Sequence, residues 1–180
     1  MILFILSAGL TLIFGLMQII NIAHGSFYLR AGYVALSVMQ ATQSFTLSLV
    51  TACVAVMLIG VLVQRTMLSR LYKQELPQAL LTLGLLFIFA DLAFWIWGGN
   101  PQLLPKPPIL EGSMQVGPVR YPIYRMSLIA VGVVVAIGMW LFLERTKVGA
   151  IIRAGMDDEE MVRGMGINVP RVFTGVFALG

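Results

Sequence analysis

Cysteine and charge are both scarce in this chain, and each shortage excludes something. Cys53 is the only cysteine in 180 residues, which rules out an intrachain disulfide and a thiolate metal cluster. Within its apolar run it reads as a small buried residue. Charged residues make up only 11% of the chain and hydrophobic residues 59%, whereas soluble domains carry about a quarter charged residues. A water-soluble fold of this size could not cover that much apolar surface. A bilayer removes the need, because a helix in lipid satisfies its own backbone hydrogen bonds. No G-x-x-x-x-G-K-[ST] pattern occurs, so the chain does not cradle nucleotide phosphates itself. Residues 1–20 lack a basic leading region and an A-x-A-like site, and read as a membrane helix rather than a secretory signal. The net charge of +4 does not point to nucleic acid, since the basic residues fall in loops between apolar runs. No pattern calls for a cofactor or a metal.

What is present is a series of apolar stretches. A hydrocarbon core about 30 Å thick needs roughly 20 helical residues. Four stretches qualify: residues 1–20, 45–63, 78–97 and 125–143. Residues 25–39 are apolar but short, and a sixth helix begins near Arg171. The expected fold is an all-α, polytopic transmembrane bundle of about five membrane segments plus the start of a sixth, with a broken helix near residues 21–26. Arg65, Arg70 and Lys73 follow the third apolar segment. Arg145, Lys147, Arg153, Arg163 and Arg171 follow the fifth, and together these are eight of the twelve basic residues. The positive-inside bias puts loops 64–75 and 144–171 in the cytoplasm and loop 98–123 outside, with Trp95 and Trp97 at the outer interface. The outer loop, with Lys106, Arg120 and Arg125 in or beside it, contains Pro101, Pro105, Pro107, Pro108, Pro118 and Pro122, which exclude a continuous helix. Alternation over residues 113–121, turning at Gly117-Pro118, predicts a small hairpin. It is either a docking surface or a rigid connector.

Three places carry polar chemistry. The first is the break: Asn21 and His24 are poor lipid-facing residues, and Gly25 relaxes the backbone where the chain changes direction. A helix starting at Gly25 or Ser26 would leave free N–H groups and a positive dipole end at the break. Interrupted helices offer such ends to substrate carboxylates; the alternative is a tight turn in which His24 only satisfies backbone carbonyls. A hydrolytic Ser26/His24 pair is discounted, because two residues flanking one glycine point in different directions and a dyad needs contact at about 3 Å. The second place is Asp91. Eleven Leu, Ile and Phe residues in 80–97 contribute about −0.3 to −0.6 kcal/mol each, against about +3 for the carboxylate, so the span still inserts. A carboxylate there is either functional or structural, capping a neighbouring helix or pairing with Arg30, itself a charge within an apolar helix. The third is residues 153–171, where Asp157 and Glu160 have capping-box spacing and Gly166 suits a helix end. Met161 and Met165 share a face at i and i+4.

The chain resembles the branched-chain amino acid ABC transporter permease family along nearly all its length. The resemblance is carried by Gly9-Leu10-Thr11-Leu12-Ile13-Phe14-Gly15, Ile20-Asn21-Ile22-Ala23-His24-Gly25-Ser26-Phe27-Tyr28, Thr82-Leu83-Gly84-Leu85, Pro122-Ile123-Tyr124-Arg125 and Gly164-Met165-Gly166-Ile167-Asn168-Val169. Members usually follow the first signature with Gly-Ala-Tyr after two apolar residues, whereas this chain reads Leu29-Arg30-Ala31-Gly32-Tyr33. The resemblance implies a transport subunit rather than an enzyme, and a chain cut short after Gly180, either part of a working permease or a non-functional fragment. If residues 25–39 also cross, the orientation puts Met1 outside, and truncation at the start is expected too. It implies as partners a second permease subunit, two ATP-binding cassette ATPase subunits and a soluble substrate-binding protein, in the bacterial inner membrane. It also implies that 153–170 is the coupling segment that fits a groove on the ATPase. The usual E-A-A, three residues, Gly spacing is met by Glu160-Met161-Val162 and Gly166, with both alanines replaced; an amphipathic surface helix is the alternative. Substrate-pathway candidates are Asn21, His24, Gly25, Ser26, Arg30 and Asp91. Leucine, isoleucine and valine are the implied substrates, and urea, short amides or other small organic acids are the alternatives.

Overall fold

The computed structural model describes residues 1–17, 21–72, 74–99, 110, 112–116 and 119–180. Lys73, Lys106, the prolines at 101, 105, 107, 108 and 118, and the Gly117-Pro118 turn lie outside the described residues. The elements are α1 (Ile2–Met17), α2 (His24–Thr42), α3 (Phe45–Thr66), a 3-10 turn (Leu68–Leu71), α4 (Glu75–Trp97), strands β1 (Ser113–Val116) and β2 (Val119–Pro122), α5 (Ile123–Arg145), α6 (Lys147–Asp157), α7 (Glu159–Gly164) and α8 (Val169–Leu179). The chain is an all-α helical membrane bundle bearing one small antiparallel hairpin, in which Ser113 pairs with Pro122 and Gln115 with Arg120. The hairpin lies where alternation predicted it.

Helices α3, α4 and α5 have 22, 23 and 23 residues and are apolar enough to cross a bilayer. At 1.5 Å per residue each reaches about 33–35 Å, enough for a core of about 30 Å. Helices α1 and α8 are apolar but shorter, and α2, with 19 residues, is more polar. Local chemistry sets the ends. Ser44 accepts the Leu47 N–H at 3.5 Å to open α3. Helix α4 begins three residues before position 78, because Pro77 falls in its first turn, where no intrahelical donor is required. Helix α8 likewise begins at Val169 rather than near Arg171: Asn168 accepts the Arg171 N–H at 3.2 Å and Pro170 occupies the first turn.

Helix α6 is an element that the charge pattern concealed. Five basic residues marked 144–171 as a loop. Thr146 nevertheless accepts the Gly149 N–H at 3.0 Å and starts an amphipathic helix whose Ile152 is buried in the core. A second correction concerns Cys53, which is exposed on α3 rather than buried.

The core joins α1, α2, α3, α4, α6, α7 and α8 through Ile13, Phe27, Val63, Phe89, Ile152, Val162 and Phe177. At its centre Phe27 meets two rings edge-on, Phe89 at 5.2 Å and Phe177 at 6.4 Å between centroids. Such pairs are favourable beyond the area they bury. Helices α2 and α4 run in the same direction. Ile22 meets Thr82, Phe27 meets Phe89, and Tyr33 stacks on Trp97 at 5.0 Å. Trp97 also donates from Nε1 to Ser37 Oγ at 2.8 Å, so it packs on α2, whereas Trp95 stands free.

The Phe27→Ala variant should lose about 3–5 kcal/mol of stability, as deletion of a buried ring usually costs. Phe94→Ala, on the exposed face of the same bundle, should change it by less than about 0.5 kcal/mol. Thermal unfolding of the two variants in detergent provides the comparison.

Candidate functional site: a cavity at the helix break

Between α1 and α2, Asn21 is non-helical, the chain turns through Ile22 and Ala23, and α2 begins at His24. The helix thus starts earlier than the Gly25 or Ser26 expected from sequence. Three of its first four N–H groups are also spent. His24 N donates to Asn21 O at 3.1 Å, and Ser26 N and Phe27 N donate to Ala23 O at 2.9 and 3.1 Å. What remains at the break is the positive dipole end rather than a row of free donors.

Two further contacts pin the break to its neighbours. The Ile22 N–H donates to Thr82 Oγ1 on α4 at 3.3 Å. His24 Nε2 lies 3.0 Å from Leu6 O on α1 and donates to it. Gly9 permits this approach. A Cβ there would lie 3.3 Å from the His24 ring and collide with the Gly180 carbonyl at the end of α8. Thr82 is seven residues into α4, so the break lies about 10 Å along that helix from Glu75. It lies alongside an apolar span rather than at its end.

Asn21 is left over. It is 3% exposed, and neither its Oδ1 nor its Nδ2 has a hydrogen-bond partner. Buried amides are ordinarily paired, and an unpaired one calls for an explanation. Asn21 and His24 both line a cavity of about 550 Å³. Its wall is mostly apolar, with Phe27, Val56, Met57 and Phe177 among its residues and Tyr28 and Tyr124 adding polar edges. Cys53 lines it as well.

The other sequence candidates fall elsewhere. Gly25 is exposed with open space around it, Ser26 is buried in the first turn of α2, and neither lines the cavity. Arg30 is half-buried with its guanidinium 4.0 Å above the Phe89 ring and its Nε lacks a hydrogen-bond partner. Asp91 is exposed on α4. The expected structural roles for Asp91 do not hold, because among the described residues it neither pairs with Arg30 nor caps a helix. The reason is helical spacing: Phe89 and Asp91, two apart, point to different sides, and Arg30 follows Phe89.

At the far end of the chain α7 (Glu159–Gly164) falls within residues 157–166, but its cap is Asp158, not Asp157. Asp158 Oδ1 accepts the Met161 N–H at 3.0 Å, while Asp157 is the last residue of α6. With the cap one position later, Glu160 no longer sits three residues on, and the capping box does not form. Glu160 is exposed. Val162 anchors α7 in the core, whereas Met161 and Met165 are 65% and 59% exposed. Gly166 has φ +80°, where a side chain would cost roughly 1–2 kcal/mol.

Sequence reasoning missed the residues that hold this segment and the break. Glu159 pairs with Arg163 at 2.6 Å and accepts the hydroxyl of Tyr72, which precedes α4. Burial, followed by the Glu159 hydrogen bond and charge, pushes the Tyr72 phenol up to about 12, so it stays a donor at neutral pH. No spacing signal links positions 72 and 159. Thr82 was visible only as part of the Thr82-Leu83-Gly84-Leu85 run.

A family profile described as branched-chain amino acid transport system, permease component, matches residues 1–180. Among curated proteins, the high-affinity branched-chain amino acid transport system permease protein BraD of Pseudomonas aeruginosa is 25% identical over 191 residues. The match takes in 98% of this chain and 62% of that protein, so the chain spans under two thirds of its relative's length. No solved structure matches the chain. The apolar helices, the break carrying Asn21 and His24, and the full-length profile match agree: the chain belongs to the branched-chain amino acid ABC transporter permease family.

Proposed function

We propose that the chain is part of the membrane permease of an ATP-driven importer for branched-chain amino acids, and that the cavity at the break belongs to its translocation pathway. The observation that carries this reading is the unpaired Asn21 amide in a mostly apolar cavity. An asparagine offers both an acceptor and donors, which matches an α-ammonium and an α-carboxylate together. The apolar wall suits a branched aliphatic side chain, and the positive end of α2 favours the carboxylate. Gly25, Ser26, Arg30 and Asp91 act at most through neighbouring elements, being outside the cavity.

In this reading the two basic loops face the cytoplasm and the hairpin faces outward. Segment 153–170, comprising most of α6 with α7, is the coupling surface. The exposed Met161 and Met165 seat in a groove on one of two ATPase subunits, with Asp157, Glu160 and Gly166 framing them. A second permease subunit completes the pathway, and a soluble binding protein delivers substrate to the outer face. The energy comes from the ATPases, since this chain has no phosphate loop; its own role is transport rather than catalysis.

Asn21→Leu separates the structural from the functional role of the amide. Removing an unpaired buried amide should raise stability by about 1–3 kcal/mol, while leucine uptake by the assembled transporter should fall sharply. Thermal unfolding and radiolabelled uptake, with urea as a competing solute, measure both. A stable variant with undiminished uptake would remove Asn21 from the pathway. Met161→Asp combined with Met165→Asp should leave ATP hydrolysis running while uptake drops to background. Normal uptake in that double variant would dismiss the coupling assignment.

A further inference from the structure

A second cavity, of about 320 Å³, lies where the last turn of α3 meets the first turn of α8. Its chemistry differs from the first: three arginines, Arg65, Arg163 and Arg171, line it together with Gln64 and Tyr72. Among the described residues only Arg163 is neutralised, by Glu159 at 2.6 Å. Arg65 and Arg171 have no carboxylate partner among the described residues. Arg171 moreover stands in the first turn of α8, where the helix dipole is itself positive and a cation is disfavoured. The backbone N–H of Arg171 is already taken by Asn168, so the free donors are the two guanidinium groups.

Gln64 adds an independent observation. It is 4% exposed and its Oε1 is buried without a hydrogen-bond donor. The cavity thus combines two uncompensated cations with one orphaned acceptor. A bare phosphate would answer only the first. A phosphate ester that also carries a hydroxyl answers both, with its phosphate held by Arg65 and Arg171 and its hydroxyl donated to Gln64. Guanidinium groups suit phosphate oxygens through paired N–H donors.

We propose that this cavity is a binding site for a hydroxyl-bearing phosphate ester, supplied by the head group of an anionic phospholipid such as phosphatidylglycerol or by a soluble glycerol phosphate. The cavity adjoins the end of a membrane span, Phe45–Thr66, within reach of lipid head groups. Basic pockets between helices on the cytoplasmic side hold such head groups. The inference rests on the membrane placement proposed above but not on transport. A bound head group would clasp α3, α7 and α8 and so stiffen the support of the coupling surface.

The test is native mass spectrometry of the full chain in detergent, titrated with phosphatidylglycerol, phosphatidic acid and phosphatidylcholine, with soluble sn-glycerol 3-phosphate and inorganic phosphate in parallel. Phosphatidylglycerol should be retained over phosphatidylcholine by roughly twenty-five-fold, two surface cations each contributing about fivefold. Arg65→Gln with Arg171→Gln should abolish that preference, whereas Arg145→Gln with Lys147→Gln should keep it. Gln64→Leu should keep phosphate binding and erase the preference for phosphatidylglycerol over phosphatidic acid. Saturation by sn-glycerol 3-phosphate alone would support the site and assign its ligand to solution. Equal retention of phosphatidylglycerol and phosphatidylcholine with no soluble ligand bound would overturn the proposal. So would full retention by the double arginine variant, or displacement of the lipid on adding the ATPase subunit, which would make the cavity a protein contact. The head-group series on the unaltered chain stays decisive if a variant fails to fold. Because binding is read in detergent without uptake, a negative result leaves the transport reading intact, and a failure of the Asn21 test leaves this site intact.

Discussion

Everything in this molecule depends on how a broken helix satisfies its backbone among apolar surroundings. In lipid there is no water to pair a freed N–H or C=O, and each orphan costs several kcal/mol. The break at Asn21–Ala23 meets this constraint from three sides. Its own turn takes up the first donors of α2, Thr82 receives the Ile22 N–H, and Leu6 on α1 receives the His24 ring. Three helices are thereby fixed around one point, and Gly9 keeps the point narrow enough for α8 to close against it. At the break it is the Asn21 side chain, buried and without a hydrogen-bond partner, that is left over. It lines the wall of a cavity.

The same fixing carries outward. Because α2 and α4 run in the same direction from the break, the aromatic contacts Phe27–Phe89 and Tyr33–Trp97 follow in register. Phe27 also reaches Phe177 of α8, and α8 packs along α3. Near the start of α8, Val162 draws α7 into the core, while the pair formed by Tyr72 and Glu159 ties it to the segment before α4. A displacement at α7 would therefore be felt at α8 and α3, both of which line the cavity at the break. This is the physical path by which a push on Met161 and Met165 would reach Asn21.

Much of this was legible in the sequence because lipid imposes a simple rule. Long apolar runs with few charges mark spans, and 45–63, 78–97 and 125–143 became α3, α4 and α5 with ends shifted by a few residues. Alternation around 113–121 marked the hairpin. The break was legible because Asn21, His24 and Gly25 have no place in a lipid-facing helix. What stayed hidden depended on contacts distant in sequence. Thr82 on α4 pairs with a backbone sixty positions away, and Tyr72 meets Glu159 across eighty-seven. Local pattern also misled. Asp157 and Asp158 are equivalent as caps by composition, and only the extra turn of α6 decides for Asp158. Arg30 and Asp91 look like an ion pair across two helices until the ring of Phe89 takes up the guanidinium.

Cys53, the single cysteine of the chain and a lining residue of the cavity at the break, reports on the central claim without any substitution. Its reaction with a small charged thiol reagent can be followed by mass spectrometry of this chain within the assembled transporter in native membranes. If the cavity is a substrate pathway, Cys53 reacts with the charged reagent, and leucine slows that reaction where urea does not. Reaction confined to a lipid-soluble reagent, at a rate indifferent to leucine, would contradict the account.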